Sequence, residues 1–208
     1  MAERVKGVSG KGVRRAVKQA PPATPEGTPR ERMVKAAAAL LSEKGLAGAS
    51  FSEVIERSGA PRGSIYHHFP DGKDGLTAEA VALVGDRVLA VLRHGEGATP
   101  GEVVLRFFEA WRRVLVKTDC MAGCAIAAVA NERLAHPELG ARAAAVFISW
   151  ERELEARLLA AGLAREKAAS AASLILASVE GVLILCRARK DIAPFDAVRD
   201  ALVAFVGS

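Results

Sequence analysis

Between Ala168 and Cys186 the chain is apolar nearly all round. A helix that is apolar on every side has to be buried on every side, and one long helix on the outside of a monomer cannot achieve that. The last helical stretch, from Pro194 through Phe195, Val198, Leu202 and Phe205, is apolar as well. The two together predict a helix-pair surface, a homodimer formed through residues 165–206. A central core helix in a monomer is the competing arrangement. Elsewhere the same three-and-four spacing recurs. It runs through Met33, Ala37, Leu40 and Leu41, then Val104, Phe107, Phe108, Trp111, Val114 and Leu115. After Pro137 it runs through Leu139, Ala143, Val146, Phe147, Trp150, Leu154 and Leu158. Gly45 and Gly162 stop two of these runs. No segment alternates as a strand does, and no repeat is visible. The fold class is all-α, with about nine helices.

Half of the 208 residues are hydrophobic, enough for a sizeable core. Three Cys make no disulfide scaffold and fit a reducing compartment. The longest charge-free runs, Cys120–Asn131 and Ala168–Val179, fall short of the ~18–20 residues that cross a bilayer. The first thirty residues lack a signal peptide's apolar region. These features predict a soluble cytoplasmic chain with no membrane partner.

The net charge of +5 is unevenly placed. Residues 1–28 carry +4, residues 29–75 carry +1 and residues 76–208 carry none. A basic arm beside a near-neutral body points to a polyanion, nucleic acid first; a solvated tail is the plainer reading. Pro21, Pro22, Pro25 and Pro29 mark the arm's end as a linker. Thr28-Pro29-Arg30-Glu31 then reads as a capped helix start.

Ser50 and Glu53 predict the cap of a short helix that ends at Ser58-Gly59. A second short helix is predicted from Pro61 to about His68. So tight a Gly-containing turn between two short helices is a helix-turn-helix candidate. Ile65 and Phe69, with Ala60 nearby, make the core side of the second helix. Arg62, Gly63, Tyr66 and His67, flanked by Ser64 and His68, make the other. Cations, hydroxyls and imidazoles of this kind donate to phosphates and base edges, and a glycine allows close backbone approach. Ser50 and Lys73 offer two more phosphate contacts.

The run Ser50-Phe51-Ser52-Glu53-Val54-Ile55, Gly59-Ala60-Pro61-Arg62-Gly63-Ser64-Ile65-Tyr66-His67-His68-Phe69 and Lys73 resembles the N-terminal domain of TetR-family transcriptional regulators. Gly123-Cys124-Ala125-Ile126-Ala127, Ser149-Trp150 and Glu180-Gly181 resemble the LmrA/YxaF-like subgroup. Two positions depart from the pattern: Pro61 stands where a Ser cap is common, and Ala49 where Thr is common. The resemblance implies a helix-turn-helix DNA-binding domain at 29–75, behind the arm and linker of 1–28. Residues 76–208 would form a helical ligand-binding and dimerisation domain. It implies a homodimeric, ligand-released repressor of a palindromic operator, with Ser50, Arg62, Gly63, Ser64, Tyr66, His67 and Lys73 as the DNA-binding set. Phe107, Phe108, Trp111, Phe147 and Trp150 are the candidate lining of a pocket for a small apolar or aromatic effector; plain core packing is the alternative for each.

No nucleophile or metal constellation stands out, and neither a cofactor nor an enzyme is expected. Structural zinc takes four ligands at tighter, paired spacing than Cys120 and Cys124 provide. Two rival functions remain. One is a thiol-redox-responsive regulator using Cys120 and Cys124. The other is a non-specific nucleic-acid-binding helical protein relying on the arm, which steep salt dependence without a preferred sequence would reveal.

Overall fold

The computed structural model describes residues 27–94 and 99–207. The basic residues of the arm, Arg4 to Lys18, lie outside the described residues. Nine helices and no strand occur among the described residues: α1 (Pro29–Gly48), α2 (Phe51–Ser58), α3 (Ser64–His68), α4 (Gly72–Arg93), α5 (Pro100–Lys117), α6 (Ala125–Ala130), α7 (Pro137–Ala160), α8 (Arg165–Arg189) and α9 (Ala193–Gly207).

Helix starts follow the local chemistry. The Thr28 hydroxyl accepts from the Glu31 amide at 3.2 Å, and the Glu31 carboxylate accepts from the Thr28 amide at 2.9 Å. Thr99 and Glu102 repeat this reciprocal box at α5, again with Pro in the first position. Both boxes satisfy amides that a helix N-terminus otherwise leaves unpaired.

The first helix does not run straight to its end. Gly45 sits at φ +73°, a left-handed conformation that glycine adopts without steric cost. The break frees carbonyls at the end of the regular helix, and other parts of the chain capture them. Gly123, in the α5–α6 link, donates its amide to Ser42 O at 2.7 Å. Arg187, near the end of α8, donates to Glu43 O at 2.6 Å, a cation at the negative end of a helix dipole. The first three helices are thereby held at the C-terminal end of α1 by the body of the molecule.

α1 packs on α2, α4 and α6; α4 packs along α7, α7 along α8, and α9 against α5 and α8. One continuous core joins Met33, Leu41, Ile65 and Leu76 to Phe107, Trp150, Ile175 and Phe195. By length and composition α8 is long and apolar enough to cross a membrane, which counting charge-free runs overlooks because Glu180 interrupts the stretch. Only 44% of its most apolar window is buried within the chain. The rest is an outward stripe: Leu174, Ala177, Gly181, Ile184 and Leu185 are exposed at steps of three and four. A side chain at Gly181 would meet nothing within 4 Å.

Candidate functional site

α2 begins as the sequence predicts, with the Ser50 hydroxyl accepting from the Glu53 amide at 3.3 Å. Glu53 does not return the bond. Its carboxylate pairs with Lys44 at 2.5 Å, because α1 brings an ammonium closer than its own cap. Gly59 ends α2 in the left-handed conformation, its amide donating to Ile55 O at 3.1 Å.

The second short helix is shorter than the spacing predicts. Residues 61–63 form a turn, and α3 covers only Ser64–His68. The Ser64 amide and hydroxyl both donate to Pro61 O, at 2.9 and 2.6 Å, and this closes the turn one residue before the helix. No side chain caps α3, in keeping with Pro61 where a Ser cap is common. The shortness weakens any dipole argument at its N-terminus. Ile65 and Phe69 anchor α3 in the core, and Ala60 is buried beside them. Arg62, Gly63, Tyr66 and His67 are exposed together on the outward side, with Ser64 and His68 half-buried at its edge. Tyr66 is 69% exposed, its ring edge-on to Phe51 at 5.6 Å, so the packing presents its hydroxyl outward. Arg30 lies over the Phe69 ring at 5.5 Å and pairs with Glu79 on α4. Arg62 has no ion pair among the described residues. Lys73 is less free than the sequence suggests: its ammonium donates to Leu46 O at 2.6 Å, leaving two protons for another acceptor.

The aromatic set lies in the body of the molecule. Phe107, Phe108 and Trp150 are fully buried, Trp111 is 5% exposed and Phe147 is half-buried. Trp150 meets Trp111 and Phe147 edge-on, at 6.1 and 5.7 Å, and donates its indole N–H to Gly85 O at 3.1 Å. Phe108 packs on Phe195 at 5.0 Å. None of these rings lines either of the two described surface clefts. One cleft, of about 490 Å³, lies between Arg93 and the Ala145–Glu153 face of α7. The other, of about 670 Å³, lies between the starts of α4 and α7, where His136 approaches Asp74 at 3.9 Å.

Three polar features of the body of the molecule stand out, two of which, the Arg112–Asp196 pair and the burial of Glu180, sequence reasoning passed over. The Arg112 guanidinium grips Asp196 with two bonds, at 2.9 and 3.2 Å, tying α5 to α9 and holding that carboxyl below its ordinary range. The Trp111 indole nitrogen is buried without a partner, as is Oε1 of Glu180. Burial raises the Glu180 pKa to about 7, opposed only by the Cys124 thiol, which donates to its carboxyl. The available signal was plain: Glu180 is the single charge between Ala168 and Cys186. Burial likewise pushes the thiols of Cys120, Cys124 and Cys186 up, Cys124 furthest, which disfavours the thiolate that a redox switch would use.

The raised carboxyl makes stability depend on pH with a definite sign. Below about pH 4.5, folded and unfolded chains both hold the Glu180 proton. Between there and about pH 7 only the folded chain keeps it, so stability falls as pH rises, by on the order of 3 kcal/mol in all. Glu180→Gln is therefore expected to stabilise the protein at pH 8 and to have little effect at pH 5. Urea unfolding of both chains at the two pH values measures this; an equal effect at both would refute it.

The geometry is matched by comparisons with known proteins. Residues 33–80 match the model of bacterial regulatory proteins of the tetR family. Residues 100–201 match the C-terminal domain of LmrA/YxaF-like transcriptional regulators. The chain is 41% identical over 182 residues to the HTH-type transcriptional regulator Rv0196 of Mycobacterium tuberculosis, covering 84% of this chain and 92% of that one. It is 29% identical to the HTH-type regulator YxaF of Bacillus subtilis, covering 88% and 97%. The crystal structure of a TetR transcriptional regulator from Legionella pneumophila superposes with a TM-score of 0.79 over 86% of this chain and 98% of that one, at 24% identity, and shares its fold. The chain belongs to the TetR family of bacterial transcriptional regulators, with an LmrA/YxaF-like C-terminal half.

Proposed function

We propose that this protein is a cytoplasmic, ligand-released repressor that binds a palindromic operator as a homodimer. Residues 29–75 would read the DNA and residues 76–208 would hold the effector and the partner subunit, while the arm of 1–28 follows the duplex. The observation that carries the reading is the outward face of Arg62, Gly63, Tyr66 and His67 on a helix pinned by Ile65 and Phe69. A guanidinium, a phenol and an imidazole on one exposed patch can donate to phosphates and base edges, and Gly63 lets the backbone approach them. Ser50 and Ser64 spend their hydroxyls on local bonds and would act as phosphate contacts only through their remaining capacity. Lys73 would keep two protons for a phosphate.

The dimer rests on the open stripe of α8, together with the exposed Ala197, Ala201 and Ala204 of α9. Two recognition helices must sit in successive major grooves, ~34 Å apart, so their spacing decides affinity. An effector releases DNA only by preferring a different spacing, by several kcal/mol for a full switch. An effector that entered among the aromatic set would meet apolar and aromatic neighbours, which suits a small apolar or aromatic molecule.

Selection of the purified protein on random-sequence duplexes at physiological salt is expected to yield a two-fold-symmetric consensus. Enrichment without sequence preference would instead favour a non-specific binder. Tyr66→Ala is expected to weaken binding to that consensus about tenfold, the loss of one charge-assisted contact. Its dimer should sediment unchanged, because the Tyr66 side chain is outside the core. Unaltered affinity would move the contact face elsewhere.

A further inference from the structure

Buried polar groups in a native protein are almost always hydrogen-bonded, so an orphan asks what completes it. Two orphans occur among the described residues of the half read above as ligand-holding. Trp111 on α5 is 5% exposed and its N–H has no acceptor. Glu180 on α8 has one carboxyl oxygen without a donor. The two helices pack on each other. Neither described cleft is lined by these residues.

The chemistry of such a molecule follows from what surrounds Glu180. Cys124 is the titratable group that acts on it among the described residues. No cation among the described residues acts on that carboxyl, and several charged groups on the helices packed against α8 are engaged elsewhere. Arg112 and Arg199 hold Asp196, Arg199 also holds Asp200, Glu151 bonds Ser173, and Glu153 holds Arg93 and Arg157. A buried carboxyl with no cation of its own favours a ligand that brings one. The indole N–H asks for an acceptor.

We propose that Glu180 and Trp111 are the polar contacts of the effector site, and that the effector is a compact aromatic molecule with a protonated amine at one end and an acceptor oxygen elsewhere. The proposal rests on the reading of residues 76–208 as the ligand-holding half. It also connects the site to the DNA-reading helices. The Cys124 thiol that donates to Glu180 caps α6 by accepting from the Ala127 amide at 3.4 Å, and the preceding amide, that of Gly123, holds Ser42 O of α1. An ammonium at the unpartnered oxygen shares the carboxylate with the thiol, one residue from the bond that holds α1.

The test uses the full chain with 4-methoxyphenethylamine and its neutral counterpart 2-(4-methoxyphenyl)ethanol, titrated calorimetrically at pH 6 and pH 8. The amine is protonated at both values while Glu180 passes from mostly neutral to mostly ionised, its pKa being about 7. Amine affinity should therefore rise about tenfold from pH 6 to pH 8. The alcohol should bind more weakly and without pH dependence. Glu180→Gln should lose both the amine preference and the pH slope. Trp111→Phe, which keeps the ring and deletes the N–H, should weaken the amine about fivefold with the slope intact. Equal binding of amine and alcohol, an unchanged slope in Glu180→Gln, or no binding of either compound would overturn the assignment. Alcohol binding that is the same in wild type and Glu180→Gln, and that releases the selected operator, would overturn the carboxyl's role and leave ligand release standing. Amine binding as expected, with the operator still held, would overturn ligand release and leave the site.

Discussion

Ile184→Arg is expected to yield a folded monomer that binds its operator about 10²- to 10⁴-fold more weakly. Ile184 is 69% exposed, so the substitution removes little from the core of the single chain. Its neighbours Leu174, Gly181 and Leu185 leave the same side of α8 open, and nothing among the described residues covers them. In a two-fold dimer the same patch meets itself, so one substitution introduces two like charges into one contact. Losing the dimer converts a two-headed grip into two independent encounters, and the effective concentration lost is worth about 10²- to 10⁴-fold. Sedimentation measures the first effect and a filter or fluorescence binding titration the second. A dimer that survives with full operator affinity would place the subunit contact on another face. Arg187 lies three residues on and already holds Glu43 O, so the thermal stability of the variant should be measured alongside.

How far the sequence could carry these conclusions depends on whether a feature is decided locally. The Thr28 and Thr99 caps are local chemistry; the first was read from its Thr-Pro-x-Glu run, and the second follows the same run at Thr99 although it was not singled out. The Gly59 turn and the Ile65/Phe69 anchor were legible for the same reason, as glycine conformation and helical spacing act over four residues. The length of α3 was not legible, because the Ser64 hydroxyl competes for Pro61 O and turns residues 61–63 out of the helix. The engagement of Lys73 with Leu46 O depends on how α4 returns across α1, 27 residues away. The Glu53 partner was misjudged likewise: a box within α2 lost to Lys44 from α1. Glu180 was legible as a lone charge in an apolar run, but not as an interior group, because helical spacing alone does not say which sides of α8 are covered.

Trp150→Ala is expected to destabilise the fold by about 3–5 kcal/mol, the loss expected for a large aromatic removed from a closed core. For a chain of this length that corresponds to roughly 10 °C in midpoint or more. Trp150 is fully buried, touches Trp111 and Phe147 edge-on, and bonds Gly85 O across the α4–α7 seam. At that seam a side chain on Gly85 would press on Val146 at 3.1 Å, so the helices have approached as closely as glycine permits and cannot collapse to refill the space. Trp150→Phe keeps most of the ring area and gives up the N–H bond, for which about 1–2 kcal/mol is expected. The comparison separates two roles that the sequence left open for this residue. A Trp that lined a standing effector cavity would already face empty space, and its removal would enlarge that space at modest cost. A Trp locked in the seam costs the full amount. The consequence for regulation follows from the position of α4, which runs from the DNA-reading helices along α7. Loosening the seam lets the start of α4 move without an effector, so Trp150→Ala should also lose operator affinity at temperatures where the protein is still folded. Operator titrations of the two variants at 15 °C and 30 °C would show it. Loss in Trp150→Ala with Trp150→Phe near wild type assigns the seam a part in holding the reading helices; parallel behaviour of the two would assign the effect to the indole N–H bond alone.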